Sequence, residues 1–600
     1  MNKKELSTIT RKIESLPKGT ITTKRINGRE YEYWQYREDG KQITKRVKGT
    51  ELEFLQQGIA ERKRLEQLLK TDGRVDHQIP AVITPAQSEE YSSFVRIGEE
   101  LRAFSEPVRS FKMRGCFDIL EKYLYGPVID KVLILYGLRR TGKTTMIRQA
   151  ICRMDETALF RTAFIQVKAG DGIKDINKDL RALEKKHIKY VFIDEVTLLE
   201  DFIENAALLS DIFAASGMKI VLSGTDSLGF VFSQDDQLYD RAIMIHTTFI
   251  PYREFEGVLG EKGIDEYIRY GGTMCLGGND YNQAINPFET VKSTNEYIDS
   301  AIANNIQHSL KNYQYSGHFR NLQTLYEKGE LTNVINRIVE DMNHRFVLEV
   351  IRNAFVSHDL GISRNNLRSD KSAPTDILDD VDTQTVTSRL MDLLEIRNAV
   401  YNEKEFNEVH LKEIKEYFTL LELIENIEVV SSSDADTANE RIAFTQAGLR
   451  FSQAEALIVS LMQDSVFRDI HIRERMRITD RILDEIRGRM MEDIILLETK
   501  KALPDQKVFV LQFPVGEFDM VLFDPKSITC RLYEIKHSSL RDPKQVRHLT
   551  DTQKLEYVSM QYGDIAGRYV IYSGEGDRGG NDGEVQYLNV EEYLKGLYNI

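Results

Sequence analysis

Short apolar runs alternate with helical spacing through the first half of this chain. VLILY (132–136), TAFIQV (162–167), YVFID (190–194), KIVLS (219–223) and AIMIH (242–246) are separated by segments with helical intervals between apolar residues. Runs without polar alternation mark strands covered on both faces, so the pattern predicts an α/β domain with a mainly parallel sheet from about residue 98. Helical periodicity then dominates 290–460. It is strongest in HLKEIKEYFTLLELIENI (410–427), read as one core helix, and 343–369 reads as an ordinary helical hairpin in preference to a helix-turn-helix. Beyond 460 the α/β pattern returns.

The N-terminal segment has a different rhythm. Asn27-Gly28 and Asp39-Gly40 are two-residue hairpin signals between β-rich runs at Thr20–Ile26, Arg29–Arg37 and Lys41–Val47. Leu52, Leu55 and Ile59 then share one face of an expected helix. Residues 71–94 lose periodicity and contain Pro80 and Pro85, as a linker does.

Charge sharpens this division. The chain of 600 residues carries a net −14, whereas residues 1–70 hold 17 Lys+Arg against 10 Asp+Glu. That local surplus, beside Trp34 and several tyrosines, suits a nucleic-acid-binding arm on an acidic body, or equally a solvated face. Length alone favours three or four domains. No apolar run approaches the ~20 residues needed to span a bilayer, so no membrane role is expected. The N-terminus lacks the apolar core of a signal peptide, and the four cysteines never form CxxC. A disulfide scaffold and a thiolate zinc finger are excluded, and a cytoplasmic location is expected.

Candidate chemistry begins at GLRRTGKT (137–144), which follows the strand VLILY and opens a helix. Gly137 and Gly142 let backbone N–H groups face phosphate oxygens at a helix N-terminus, with Thr145 in its first turn. Lys143 would reach the β- and γ-phosphates and Thr144 would hold Mg²⁺. Asp194, at the end of YVFID, suits the magnesium shell, and Glu195 suits a general base for water. SGTDS (223–227) ends the next strand, where Ser223 or Thr225 would sense the γ-phosphate. Arg241 is the candidate finger or sensor arginine. No NKxD follows, which favours ATP over GTP.

These motifs, with LYDR (238–241), PYREF (251–255) and YIRYGGTM (267–274), resemble the AAA-family ATPases of bacteria and archaea that carry a C-terminal domain of unknown function. The likeness covers roughly 98–600. Asp240 stands where that family has a glycine. The resemblance implies a P-loop sheet, winged-helix-like helical segments and a nuclease-like fold.

The C-terminal residues support the last expectation independently. Asp519 in GEFDMVLFD and Glu534-Ile535-Lys536 in CRLYEIKHS have the spacing of a PD-(D/E)XK nuclease, with Glu492 upstream as a further carboxylate. Asp519 and Glu534 on adjacent strands would share Mg²⁺ or Mn²⁺, and Lys536 shares the face of Glu534.

The expected partition is a basic meander and helix over 1–70, a linker over 71–97, an ATPase domain over 98–290, a helical winged-helix-like region over 291–450 and a nuclease-like α/β domain over 451–600. Two functions compete. One is a Mg²⁺-ATPase whose nucleotide state controls a nuclease-like, DNA-binding domain. The other is a nucleotide-gated interaction protein, whose inert nuclease-like fold holds a protein partner or a second copy of the chain.

Overall fold

The computed structural model describes three strands within 20–47, then residues 91–168, 170–199, 202–225, 240–247, 249–260, 262–273, 291–312, 319–355, 408–433, 439–462, 471–577 and 585–597. The chain divides into two units, 1–90 and 91–600. In the first, β1 (Thr20–Ile26), β2 (Arg29–Glu38) and β3 (Lys41–Val47) form an antiparallel meander. Ile26 pairs with Arg29 and Glu38 with Lys41, the registers that two-residue turns impose. The helix expected around Leu52, Leu55 and Ile59 lies outside the described residues.

The second unit opens with β4 (Phe94–Ile97), inside the stretch read as linker, followed by α1 (Gly98–Ser105) and α2 (Phe117–Tyr125). A six-stranded sheet then forms from β4, β5 (Val132–Tyr136), β6 (Thr162–Gln166), β7 (Tyr190–Asp194), β8 (Lys219–Gly224) and β9 (Ala242–His246). Its order is β4-β6-β7-β8-β5-β9; all pairs are parallel except β4 with β6. Alternate residues pack in opposite directions, as a pleated strand requires. Leu133, Leu135, Phe164, Phe192 and Val221 meet α1, α2 and α3 (Lys143–Cys152). Ile134, Ile165, Ile193 and Leu222 meet α4 (Ile173–Lys185) and the segment 196–214.

After α5 (Ile264–Tyr270) the helical region contains α6 (Asn304–Asn312), α7 (Leu331–Phe355) and α8 (Glu408–Leu420). The hairpin expected over 343–369 runs beyond the described residues after 355. The single helix expected over 410–427 is corrected: α8 ends at Leu420, Glu422 takes a left-handed φ of 52°, and β10 (Ile424–Ser431) follows. The apolar residues Ile424 and Ile427 satisfied a helical count, but pairing of their strand on both sides settles them as β10.

β10 belongs to a seven-stranded sheet with β11 (Asn439–Phe444), β12 (Lys507–Gln512), β13 (Glu517–Asp524), β14 (Thr529–Lys536), β15 (Asp564–Tyr572) and β16 (Val585–Asn589). Its order is β11-β10-β12-β13-β14-β15-β16. The helices α9 (Ala447–Met462), α10 (Ile472–Ala502), α11 (Thr552–Tyr562) and α12 (Val590–Gly596) complete this half. From α10 onward the succession is helix, three antiparallel strands, helix, parallel strand, the expected α-β-β-β-α-β order. Phe249, Tyr252, Phe255 and Tyr267 share one core with α9, α10 and α12, so the chain after β9 is packed into the C-terminal half.

Candidate functional site

The phosphate loop lies at the C-terminal end of β5, where parallel strands leave backbone groups open. Gly137 has φ 134°, and a Cβ there would stand 2.5 Å from Thr247 O; Gly142 has φ 95° and directly precedes α3. Only glycine meets both demands without strain. Thr141 Oγ1 donates to Leu138 O at 2.8 Å and lies 3.0 Å from Thr247 Oγ1, which stitches the loop closed. Lys143 is buried and donates to Gly137 O and Leu138 O, both at 2.8 Å, so its ammonium sits inside the loop's curve. Burial pushes its pKa down to about 8, against the pull of Glu195 and Asp194.

The acidic partners come from the tip of β7. Thr144 Oγ1 donates to Asp194 Oδ2 at 2.9 Å, and Ser223 Oγ, from the tip of β8, donates to Asp194 Oδ1. Asp194 is thereby aimed at the helix start by two hydroxyls. Glu195 has φ 60°, a left-handed conformation that turns it out of the strand line. Thr225 Oγ1 lies 3.5 Å from Glu195 Oε2. Burial and the neighbouring Asp194 raise the Glu195 pKa, which moves its carboxyl toward the range of a general base. Thr145 is half-buried in the first turn of α3. Glycine-shaped space, a buried ammonium and a hydroxyl–carboxylate pair fit a nucleotide with Mg²⁺: Lys143 and the loop N–H groups would hold phosphates, and Thr144 and Asp194 the ion.

Arg241 does not join this group on its own chain. It precedes β9, and its carbonyl accepts from Val132 N at 3.0 Å at the opposite end of β5 from Gly137. At ~3.3 Å per residue that is about 16 Å away. Its Nε instead lies 2.7 Å from Asp211 Oδ1. Asp240 takes a left-handed φ of 56° and pairs with Lys131.

Sequence reasoning missed three supports of the loop. Arg114 is buried; it contacts Glu254 Oε2 at 2.6 Å and donates to Thr141 O at 2.7 Å and Phe249 O at 3.2 Å. Asn305 on α6 donates to Thr225 O at 2.6 Å, and Leu138 is buried in the core of the helical region. The PYREF motif was a partial signal for Glu254; nothing local marks Arg114 or Asn305.

A second cluster lies on β13 and β14. Asp519 and Glu534 are both buried, and Lys536 Nζ bridges them, 2.9 Å from Asp519 Oδ2 and 3.0 Å from Glu534 Oε2. Ile535 N donates to Asp519 Oδ2 at 2.7 Å, while Glu534 Oε1 is buried without a hydrogen-bond partner. Burial and Asp519 push the Glu534 pKa up. Glu492 is close enough to feel Asp519 but is taken by Arg441 at 3.0 Å and Arg489 at 3.1 Å. No group of three His, Cys, Asp or Glu suited to a metal occurs among the described residues. The cluster thus presents two carboxylates, Asp519 and Glu534, joined by Lys536, with one Glu534 oxygen unpartnered and Glu492 held back by arginines.

No described helix is long and apolar enough to cross a membrane. No curated protein sequence matches the chain. Among solved structures it is similar to the S. cerevisiae Hsp104:casein complex in its extended conformation, with 17% identity and a TM-score of 0.22 over 27% of this chain, which spans 31% of the Hsp104 chain. It is also similar to the Aeropyrum pernix ORC1 protein in complex with DNA, with 11% identity and a TM-score of 0.22 over 61% of this chain and 98% of that one. At these scores neither likeness bears on what this chain binds. Residues 130–256 match the family model described as AAA domain, and that stretch holds the phosphate loop and both acidic residues of β7's tip. Over this stretch the chain is similar to AAA domains, with the phosphate loop in the place its geometry gives it.

Proposed function

We propose that the chain is a Mg²⁺-dependent ATPase whose nucleotide state controls the C-terminal, nuclease-like half and its contact with DNA. The observation that carries the first part is the convergence of Lys143, Thr144, Asp194, Glu195 and Thr225 at the ends of β5, β7 and β8. Thr144 and Asp194 would hold magnesium, which would supply positive charge against the phosphates. Lys143 compensates phosphate charge, Asp194 holds Thr144 in place, and Glu195 takes the proton of the attacking water. Control of the C-terminal half is supported by α10. Glu498 on this helix accepts from Tyr252 N at 2.6 Å, beside the Arg114–Glu254 pair under the phosphate loop. Six residues earlier the same helix carries Glu492, near Asp519. The α-β-β-β-α-β order and the Asp519, Glu534 and Lys536 cluster support the nuclease-like reading, with Mg²⁺ or Mn²⁺ as the ion.

The decisive measurement is ATP turnover and Mn²⁺-dependent DNA nicking by one purified preparation. Turnover lost in Glu195→Gln and nicking lost in Asp519→Asn would support the two halves separately. A wild-type rate in Glu195→Gln would sink the ATPase assignment.

The competing reading is an inert C-terminal fold that binds a protein partner or a second copy of the chain. The occupation of both carboxylates by Lys536, and of Glu492 by two arginines, favours it. Absence of nicking, together with a partner retained by the Glu195→Gln chain, would select this reading.

A further inference from the structure

Beside the acidic cluster lies a histidine whose proton is placed by a buried lysine. The turn His548–Thr550 packs on β13 and β14, the strands that carry Asp519 and Glu534, and Leu549 anchors it in the core. The His548 ring lies against the hairpin between β12 and β13: Gly516 has φ 77°, and a Cβ on it would stand 2.3 Å from His548 Cε1. A side chain at 516 would expel the ring, so this glycine keeps a close approach open.

Lys554 on α11 is buried, donates to Val515 O at 2.8 Å and meets His548 Nδ1 at 2.7 Å. Its ammonium also stands 4.9 Å from the centre of the Phe513 ring. A lysine ammonium can only donate, so Nδ1 must accept and the neutral ring carries its proton on Nε2. Burial, Lys554 and Lys536 together lower the His548 pKa, which keeps the ring neutral. Gly516, on which the ring packs, directly precedes β13 and stands three residues before Asp519, so the ring borders the strand that carries the cluster.

We propose that His548 is a substrate-binding residue of the acidic cluster, donating from Nε2 to a phosphodiester oxygen, and that Lys554 is its positioning residue. The proposal rests on the reading of Asp519 and Glu534 as a cation-binding pair. It adds what two carboxylates cannot supply, a fixed neutral donor that recognises the phosphate without competing for the ion. Lys536 starts from the carboxylates Asp519 and Glu534, so His548 adds a second donor on the side of the cluster that the hairpin before β13 borders.

The test measures binding of a fluorescein-labelled DNA duplex to the full chain by anisotropy, with and without Ca²⁺, a hard cation that suits carboxylate oxygens. The calcium-dependent increment reports the cluster and excludes the basic arm. His548→Ala should weaken that increment about tenfold, the size expected for a hydrogen bond to a charged group, while calorimetric Ca²⁺ binding stays unchanged. His548→Gln, whose amide N–H reaches a similar point, should restore most of it. Lys554→Met should match His548→Ala, and the double variant should be no weaker than either. Melting temperatures identify a misfolded Lys554→Met, and the His548 pair then decides. Wild-type binding by His548→Ala, no rescue by His548→Gln, or additive losses in a folded double variant would overturn the assignment and leave the cation pair standing. An undiminished increment in Asp519→Asn would overturn the cation pair and this assignment with it.

Discussion

Arg114 Nε lies 2.6 Å from Glu254 Oε2, with both side chains almost wholly out of solvent, and the same guanidinium donates to Thr141 O. One ion pair thus joins the strand-preceding segment, the PYREF turn and the phosphate loop. Removing one member of a buried pair leaves an uncompensated charge and costs about 3–5 kcal/mol. Glu254→Ala should lose stability on that scale and weaken nucleotide binding. The Arg114→Met, Glu254→Leu double variant should lose less than the sum of its single variants. Chemical denaturation of these variants beside the wild-type chain checks this; strict additivity would show that the two residues act independently.

Lys143→Ala should remove most nucleotide binding, whereas Glu195→Gln should bind and turn over roughly 10²- to 10⁴-fold more slowly. The Lys143 pKa of about 8 adds a sharper expectation. Phosphate charge favours the ammonium form, so nucleotide binding between about pH 8 and 9 should take up a proton. Calorimetry in buffers of different ionisation heat would reveal it as a buffer-dependent enthalpy. Identical enthalpies would mean that Lys143 is already fully charged in the empty loop.

Glu498 is fully buried; one oxygen accepts from Tyr252 N and burial pushes its pKa up to about 8. The folded chain therefore holds a proton that the unfolded chain releases near the ordinary carboxylate value. Its contribution to stability is present below about pH 4.5 and is lost as pH rises toward 8, by at most ~1.4 kcal/mol per unit. Glu498→Gln keeps an acceptor for Tyr252 N and should flatten that part of the pH–stability profile. Parallel profiles for the two chains would place the ionisation elsewhere.

Mn²⁺ binding at the C-terminal cluster must draw Lys536 away from at least one carboxylate. Asp519→Asn should abolish the Mn²⁺ heat without altering ATP turnover. Lys536→Met should keep or tighten Mn²⁺ binding, because a competing cation is gone. Loss of Mn²⁺ binding in Lys536→Met would show that the lysine organises the carboxylates instead of competing for them.

Deletion of residues 1–70 removes a net charge of +7 read from the sequence. Salt dependence of DNA binding should flatten by about 0.9 in the log–log slope for each duplex phosphate that the arm no longer neutralises. An unchanged slope would assign the meander to protein binding.

The five runs of the ATPase sheet were legible because each is an unbroken apolar stretch, and only a strand covered on both faces needs one. The phosphate loop was legible for a similar reason: glycines at positive φ and a lysine opening a helix are local demands, met within eight residues. The meander's registers follow from Asn27-Gly28 and Asp39-Gly40 in the same way. What lay outside local reach were the partners. Arg114 and Glu254 are 140 residues apart, and Tyr252 and Glu498 are 246 apart. A buried charge acquires its meaning from the opposite charge that the fold brings to it, and sequence spacing carries no trace of that. Residues 424–427 satisfied a helical count; neighbouring strands 439–444 and 507–512 made them part of a strand. Arg241 lies just before a strand in the sequence, yet strand direction alone places it at the end of the sheet away from the phosphates. Local sterics and burial are written along the chain, whereas charge pairing and strand neighbourhood exist only once distant segments meet.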